Sequence, residues 1–529
     1  MRDFQLPGRS PVFGLRGAAA TSHPLATGVA LDILKSGGNA IDSAVAAAAT
    51  LAVVEPQSTG VGGDCFALCS FKGIVPPIAI NGSGAAAKDI DINWFKTNGL
   101  TQIEPESPHA ITVPGALRTW AKLVNDYGTQ NLSKLLKPAI NYARDGYVVT
   151  PRVALDWEEQ VDKLSKCPHS AKTYLVSGRS PSAGSVHRQP VLADTLSKIS
   201  EFGVDEFYSG SIAKDIVTYL RGLGSALNID DFASFEPQYV KPIYTNYRGY
   251  DVYECPPNGQ GITALMILNI LCGYDMGSFD ALGTDRFHLQ AEATRLAYRD
   301  RFKYLADPEK SLVPIEKLLS ESYAEELRSQ ISLNKVMPFI KNNSEIRHRD
   351  TVYLSVVDSD GTAVSFINSL FHPFGSGLCE PKSGVILQNR GSGFSLDPKS
   401  PNCIAPGKRP MHTIIPGILA KDNKTLMSFG VMGGHYQACG HAHLLLNLID
   451  YKMDPQEALD APRAFHTDGI YELEKTISRQ VKEKLESRGH DTRWSKTPIG
   501  GGQLICINPS NGVLTAASEF RKDGLALSW

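Results

Sequence analysis

Two β-branched runs separated by a glycine turn constrain this 529-residue chain most strongly. Val352-Tyr353-Leu354-Ser355-Val356-Val357-Asp358 is followed by Ser359-Asp360-Gly361 and then Thr362-Ala363-Val364-Ser365-Phe366-Ile367. β-Branched and aromatic residues on either side of a glycine-bearing turn predict a hairpin with core-forming strands. The tract before it, Asn342-Asn343-Ser344-Glu345-Ile346-Arg347-His348-Arg349-Asp350, has no apolar periodicity to anchor it in a core. Thr351 stands at the junction. Threonine opens many strands simply because it fits the pleated surface. A threonine behind a removable segment also has a chemical reading. Cutting the Asp350–Thr351 bond would free an α-amine beside the Thr351 hydroxyl, and an α-amine titrates near pH ~7.7–8. Such an amine is a base able to take the hydroxyl proton during attack on a carbonyl.

Composition excludes several function classes. The formal net charge is −2, so no global field favours nucleic acid or an anionic membrane. The nine cysteines form no C-x-x-C pair, which argues against a zinc site and a disulfide framework. The beginning of the chain, Met1 to Arg9, lacks the apolar centre of a secretory signal, so a cytoplasmic location is expected. The apolar stretch over 44–54 is too short for a bilayer and reads as a buried helix.

Periodicity and caps sketch the rest. Residues 1–20 read as an extended arm. Ser22 is placed to cap a helix through Leu34, and Asn39 one over 40–53 that Pro56 stops. Helices are expected over 132–142, 193–202, 212–223, 262–271, 285–305 and 437–449. Strands are expected over 250–253, 352–358, 362–368, 383–388, 413–420, 425–430, 502–507 and 513–517. Gly60-Val61-Gly62-Gly63 is a glycine loop with no following Lys-Ser/Thr, hence not a phosphate loop.

The segment from Thr351 to Asp358 resembles the strand that opens the small subunit of the γ-glutamyltransferase family. Further motifs fall in the same order: Ala20-Thr21-Ser22-His23-Pro24, Gly37-Gly38-Asn39-Ala40-Ile41-Asp42, Gly60-Val61-Gly62-Gly63-Asp64, Val113-Pro114-Gly115 and Asn258-Gly259-Gln260-Gly261. Phe374-Gly375-Ser376-Gly377, Lys408-Arg409-Pro410, Gly433-Gly434 and Asp460-Ala461-Pro462-Arg463 complete the set. The resemblance implies an α+β fold, the four-layer αββα sandwich of N-terminal-nucleophile hydrolases. It also implies self-cleavage before Thr351 into a large segment, 1–350, and a small one, 351–529, of one interwoven fold. The two would form an αβ heterodimer, with further dimerisation left open.

Under this resemblance Thr351 is the nucleophile, Ser369 the hydroxyl that orients it, and Gly433-Gly434 the oxyanion hole. Arg390, His412 and Thr413 fall in substrate-reading segments. The family's carboxylate-gripping arginine falls near Ser83 and its ammonium-holding acid near Gly393, while Phe371 replaces an asparagine. A site without those grips cannot select a glutamyl group by charge. The pattern is similar to the amidohydrolase branch, which includes oxamate amidohydrolase. A hydrolase of a small oxamate-like amide is therefore expected, with no metal and no cofactor. A γ-glutamyltransferase and an unprocessed ligand-binding relative stand as alternatives. His435 is a weak site candidate, and His441 and His443, two apart on a helix, do not share a face.

Overall fold

A computed structural model describes Gln5 and residues 8–338, 351–467 and 469–529. Two seven-stranded antiparallel sheets form the centre. The first runs Val12–Gly14, Leu514–Ser518, Gly501–Ile507, Lys424–Met432, Gly417–Lys421, Tyr250–Glu254, Ile243–Tyr247. The second runs Leu525–Ser528, Ala18–Thr21, Val352–Val357, Ala363–Ser369, Asp64–Ser70, Ile78–Gly82, Gln238–Val240. Strands from before and after Thr351 lie side by side in both.

Side-chain alternation builds the layers. Tyr353, Ile367, Phe66 and Leu68 point inward and meet Tyr253, Ile418, Met432 and Ile505 of the facing sheet. Val352, Leu354, Val356 and Phe366 point outward into a second core that includes the helix Ala40–Val54. The outer face of the first sheet, with Val252, Phe429 and Val431, is covered by the helices Gly261–Cys272 and Gln437–Ile449. Helix, sheet, sheet and helix make the four-layer αββα sandwich. A buried hydroxyl network pins the sheets together: Ser355 Oγ lies 2.6 Å from Ser428 Oγ of the facing sheet, and within its own sheet Tyr353 Oη lies 2.8 Å from Ser365 Oγ.

Local chemistry sets the element ends. Asn39 and Asp42 form a reciprocal capping box, each accepting the other's N–H at 3.0 Å. The helix Pro24–Lys35 is capped by His23 rather than by Ser22. The Ser22 hydroxyl is engaged instead with the buried Glu55 carboxyl at 2.6 Å. Glu55 itself is pushed up to about 7, chiefly by burial. Residues 1–20 are not simply an arm, because Val12–Gly14 and Ala18–Thr21 pair into the two sheets. The long helix Thr284–Tyr304 starts at Thr284 itself, capped by Gly283. No strand forms over 383–388. Its backbone bonds go to the loop residues Leu378, Glu380 and Gly62, leaving isolated bridges at Ile386 and Leu387. The strand expected at 413 starts at Gly417, after Pro416, because Ile415 N–H donates to the Gln437 side chain. All nine cysteines are free.

Candidate functional site

Strand register brings distant residues into one row. Val352 pairs with Asn368, so Thr351 comes opposite Ser369, and Ser369 pairs with Asp64. Cys65 pairs with Gly82, which sets Ser83 beside Asp64. Thr351 Oγ1 lies 3.2 Å from Ser369 Oγ, and both residues are buried. Ser369 Oγ also accepts the Phe371 N–H at 2.8 Å. The glycine loop is required by this crowding. A Cβ at Gly63 would collide with the Ser369 carbonyl, and one at Gly62 with the Ile386 carbonyl.

Asp64 is the electrostatic centre of the next layer. Its Oδ1 accepts the Gly84 N–H at 3.2 Å, and its Oδ2 lies 3.0 Å from His412 Nε2 and 3.6 Å from Arg390 Nε. Ile414 N–H approaches His412 Nδ1 at 3.4 Å, so the ring proton belongs on Nε2, donating to Asp64. Burial first, and then Arg390, bring the His412 pKa down to about 4, leaving the imidazole neutral at neutral pH. Burial brings Arg390 down to about 10 against the opposing pull of Asp64, so it stays charged. Arg390 is fully buried, donates from Nη1 to Thr413 Oγ1 at 2.8 Å, and stacks 4.2 Å from the Phe371 ring centre. Its Nη2 has no hydrogen-bond acceptor among the described residues.

Gly433 and Gly434 turn at φ 129° and 58° between the strand Lys424–Met432 and the helix Gln437–Ile449. Gln260 ties this turn to the rest: its Nε2 donates to the Thr413 carbonyl at 2.6 Å and to the Gly434 carbonyl at 2.9 Å. Arg301 in turn donates to Gln260 Oε1 at 2.6 Å. Phe371, at φ 78°, packs its ring against His372, and its centroid lies 6.4 Å from that of His435. It thus touches the surroundings of Ser369, Arg390 and the glycine turn at once.

The structure therefore brings Thr351, Ser369, Arg390, His412 and Thr413 into one chain of contacts, with Gly433-Gly434 joined through Gln260. Asp350 lies outside the described residues. Ser83 and Gly393 bring no charge of their own; Ser83 Oγ accepts from Asn258 and the Gly393 carbonyl from Asn402. A guanidinium does reach that corner from another segment, since Arg409 Nε donates to the Ser83 carbonyl at 3.3 Å. Behind the Arg390–Gly393 turn is a mostly apolar hollow that includes Ile90, Ile111, Leu227, Phe394 and Ile404. His441 is bound to Glu254 at 2.6 Å and His443 lies 3.0 Å from Arg286. Among the described residues no group of three or more His, Cys, Asp or Glu is placed to hold a metal.

Sequence reasoning missed Asp64 and Gln260 as site members. The signal for Asp64 was a carboxylate opening the apolar run Cys65-Phe66-Ala67-Leu68-Cys69, where burial demands a partner.

Comparison with known proteins agrees with this architecture. The profile of the gamma-glutamyltranspeptidase family matches residues 26–529. The glutathione hydrolase-like YwrD proenzyme of Bacillus subtilis is 34% identical, over 98% of this chain and 99% of its own length. The oxamate amidohydrolase proenzyme of Klebsiella pneumoniae is 33% identical over 97% of this chain and 98% of its own. The crystal structure of cephalosporin acylase from Bacillus halodurans superposes with a TM-score of 0.93 at 40% identity, covering 100% of this chain and 99% of that one. The chain belongs to the gamma-glutamyltranspeptidase family, as a proenzyme-derived N-terminal-nucleophile hydrolase of amide C–N bonds.

Proposed function

We propose that this protein cleaves itself before Thr351 and then hydrolyses a small, carboxylate-bearing amide of the oxamate type through an acyl-enzyme on Thr351. The observation that carries the reading is the Thr351–Ser369 hydroxyl contact, 3.2 Å across adjacent strand ends, with the buried Arg390 guanidinium one side chain away across Phe371.

In the precursor the Thr351 hydroxyl attacks the Asp350 carbonyl; the C–N bond breaks, which frees the Thr351 amine and leaves an ester, and water then hydrolyses that ester to release the Asp350 carboxylate and restore the hydroxyl. Segments 1–350 and 351–529 then remain together as an αβ unit. In turnover that amine takes the Thr351 hydroxyl proton as Oγ1 attacks the amide carbon. Gly433 and Gly434 N–H groups stabilise the tetrahedral oxyanion, a role worth ~3–4 kcal/mol per donor in known enzymes. The protonated amine passes its proton to the departing ammonia. Water then cleaves the acyl ester and restores the Thr351 hydroxyl. Ser369 orients Thr351, while Arg390 meets the substrate carboxylate, with Thr413 and His412 shaping its surroundings.

Ammonia release from oxamate, measured beside anilide release from a γ-glutamyl anilide, tests the substrate class. Saturable turnover of oxamate and none of the anilide is expected. The reverse pattern would replace this reading with a γ-glutamyl one, in which Arg409 stands in for the missing arginine near Ser83.

A further inference from the structure

Asp64 opens a strand whose next five residues are apolar and buried, so its carboxylate is tolerated only because it is paired. Among the described residues, the side chains that pair with it belong to the candidate site. His412 donates to Oδ2 at 3.0 Å, and Arg390 Nε stands 3.6 Å from the same oxygen. Because His412 is neutral, Arg390 is the cation paired with Asp64 among the described residues. Arg390 is thus held on three sides: by Asp64, by the Thr413 hydroxyl at 2.8 Å, and by the Phe371 ring at 4.2 Å. Nε meets Asp64 as an ion pair without a hydrogen bond, and Nη2 is buried without an acceptor among the described residues. An unpaired guanidinium N–H at zero exposure is costly unless something else pairs with it.

We propose that Asp64 is a positioning residue that fixes the Arg390 guanidinium by one edge, so that its Nη2 edge meets the carboxylate of the amide substrate. The inference rests on the reading of Arg390 as the carboxylate partner. Since Asp64 and Arg390 nearly cancel, the substrate anion is recognised by oriented N–H groups rather than by surplus positive charge. Arginine suits this task because its planar fork can serve two carboxylates from different edges, which a lysine cannot do.

The test is steady-state ammonia release from oxamate by wild type, Asp64→Asn, Arg390→Gln and the double variant. Asp64→Asn keeps the shape and removes the charge, and should raise KM about tenfold while kcat falls less than about threefold. The double variant should be no worse in KM than Arg390→Gln alone, because Asp64 acts through Arg390. A KM for Asp64→Asn within about twofold of wild type, or an equal penalty with and without Arg390, overturns the inference and leaves the role of Arg390 standing. If Arg390→Gln does not move KM, or wild type shows no saturable oxamate turnover, the reading of Arg390 falls and this one with it. Should Asp64→Asn not fold, Asp64→Glu keeps the charge and displaces it by one methylene. An unchanged KM in that variant overturns the proposal, and a rise of about fivefold or more supports it.

Discussion

Thr351 Oγ1 and Ser369 Oγ lie 3.2 Å apart because the hairpin register that pairs Val352 with Asn368 puts the next two residues opposite each other. The Phe371 N–H occupies one acceptor site on Ser369, leaving its proton and other lone pair to Thr351. Ser369→Ala removes this contact without disturbing the strand. The expected result is a loss of about 10- to 100-fold in kcat/KM, the equivalent of one buried hydrogen bond, with slower self-cleavage. Kinetics on the mature variant and a time course of precursor conversion measure both.

The glycine turn gives a second expectation. Gly433 sits at φ 129°, a conformation closed to residues bearing a Cβ. Gly433→Ala should re-aim the N–H groups and lower kcat by about 10²–10³, with a much smaller change in KM. Steady-state kinetics separates the two constants.

The fold was legible wherever a strand or helix carries its own periodicity. The hairpin at 352–367, the helix Gln437–Ile449 and the Asn39 cap follow from local pattern. Reading failed where a tertiary partner outcompetes a local one. Ser22 is a good cap by type, but the buried Glu55 takes its hydroxyl. Val385-Ile386-Leu387 reads as a strand, yet its backbone hydrogen bonds go to Ser376, Leu378 and Glu380 of the preceding loop. Of the residues named from family motifs, Thr351, Ser369, Arg390, His412 and Thr413 fall in one chain of contacts, and Gly433-Gly434 are reached through Gln260. Asp64 was not legible as their hub, since its partners Arg390 and His412 are more than 300 positions away.

His412 makes stability depend on pH with a defined sign. Burial, and then Arg390, bring its folded-state pKa from 6.5 down to about 4. Between those values the unfolded chain binds the extra proton, so stability rises with pH across this window. It is lost as pH falls from about 6.5 through about 4. Urea unfolding of wild type and His412→Gln at pH 7 and pH 5 measures this. The variant's stability should fall less over that interval.

The hydroxyl network between the sheets predicts a stability effect remote from chemistry. Tyr353→Phe keeps the ring and removes an Oη that contacts Ser365 at 2.8 Å and Ser355 at 3.1 Å. A loss of about 1 kcal/mol is expected, because Ser355 and Ser365 each lose one partner but keep their bonds to Ser428 and Phe429 of the facing sheet. Denaturant midpoints give the value, and kcat should change little.

Self-cleavage and turnover are proposed to share one atom, the Thr351 hydroxyl oxygen. Intact-mass spectrometry of freshly purified wild type beside Thr351→Ala tests it most directly. Two fragments are expected in the wild type, split between Asp350 and Thr351, and one whole chain in the variant. A single whole chain in both, or cleavage of the variant at the same bond, would contradict it.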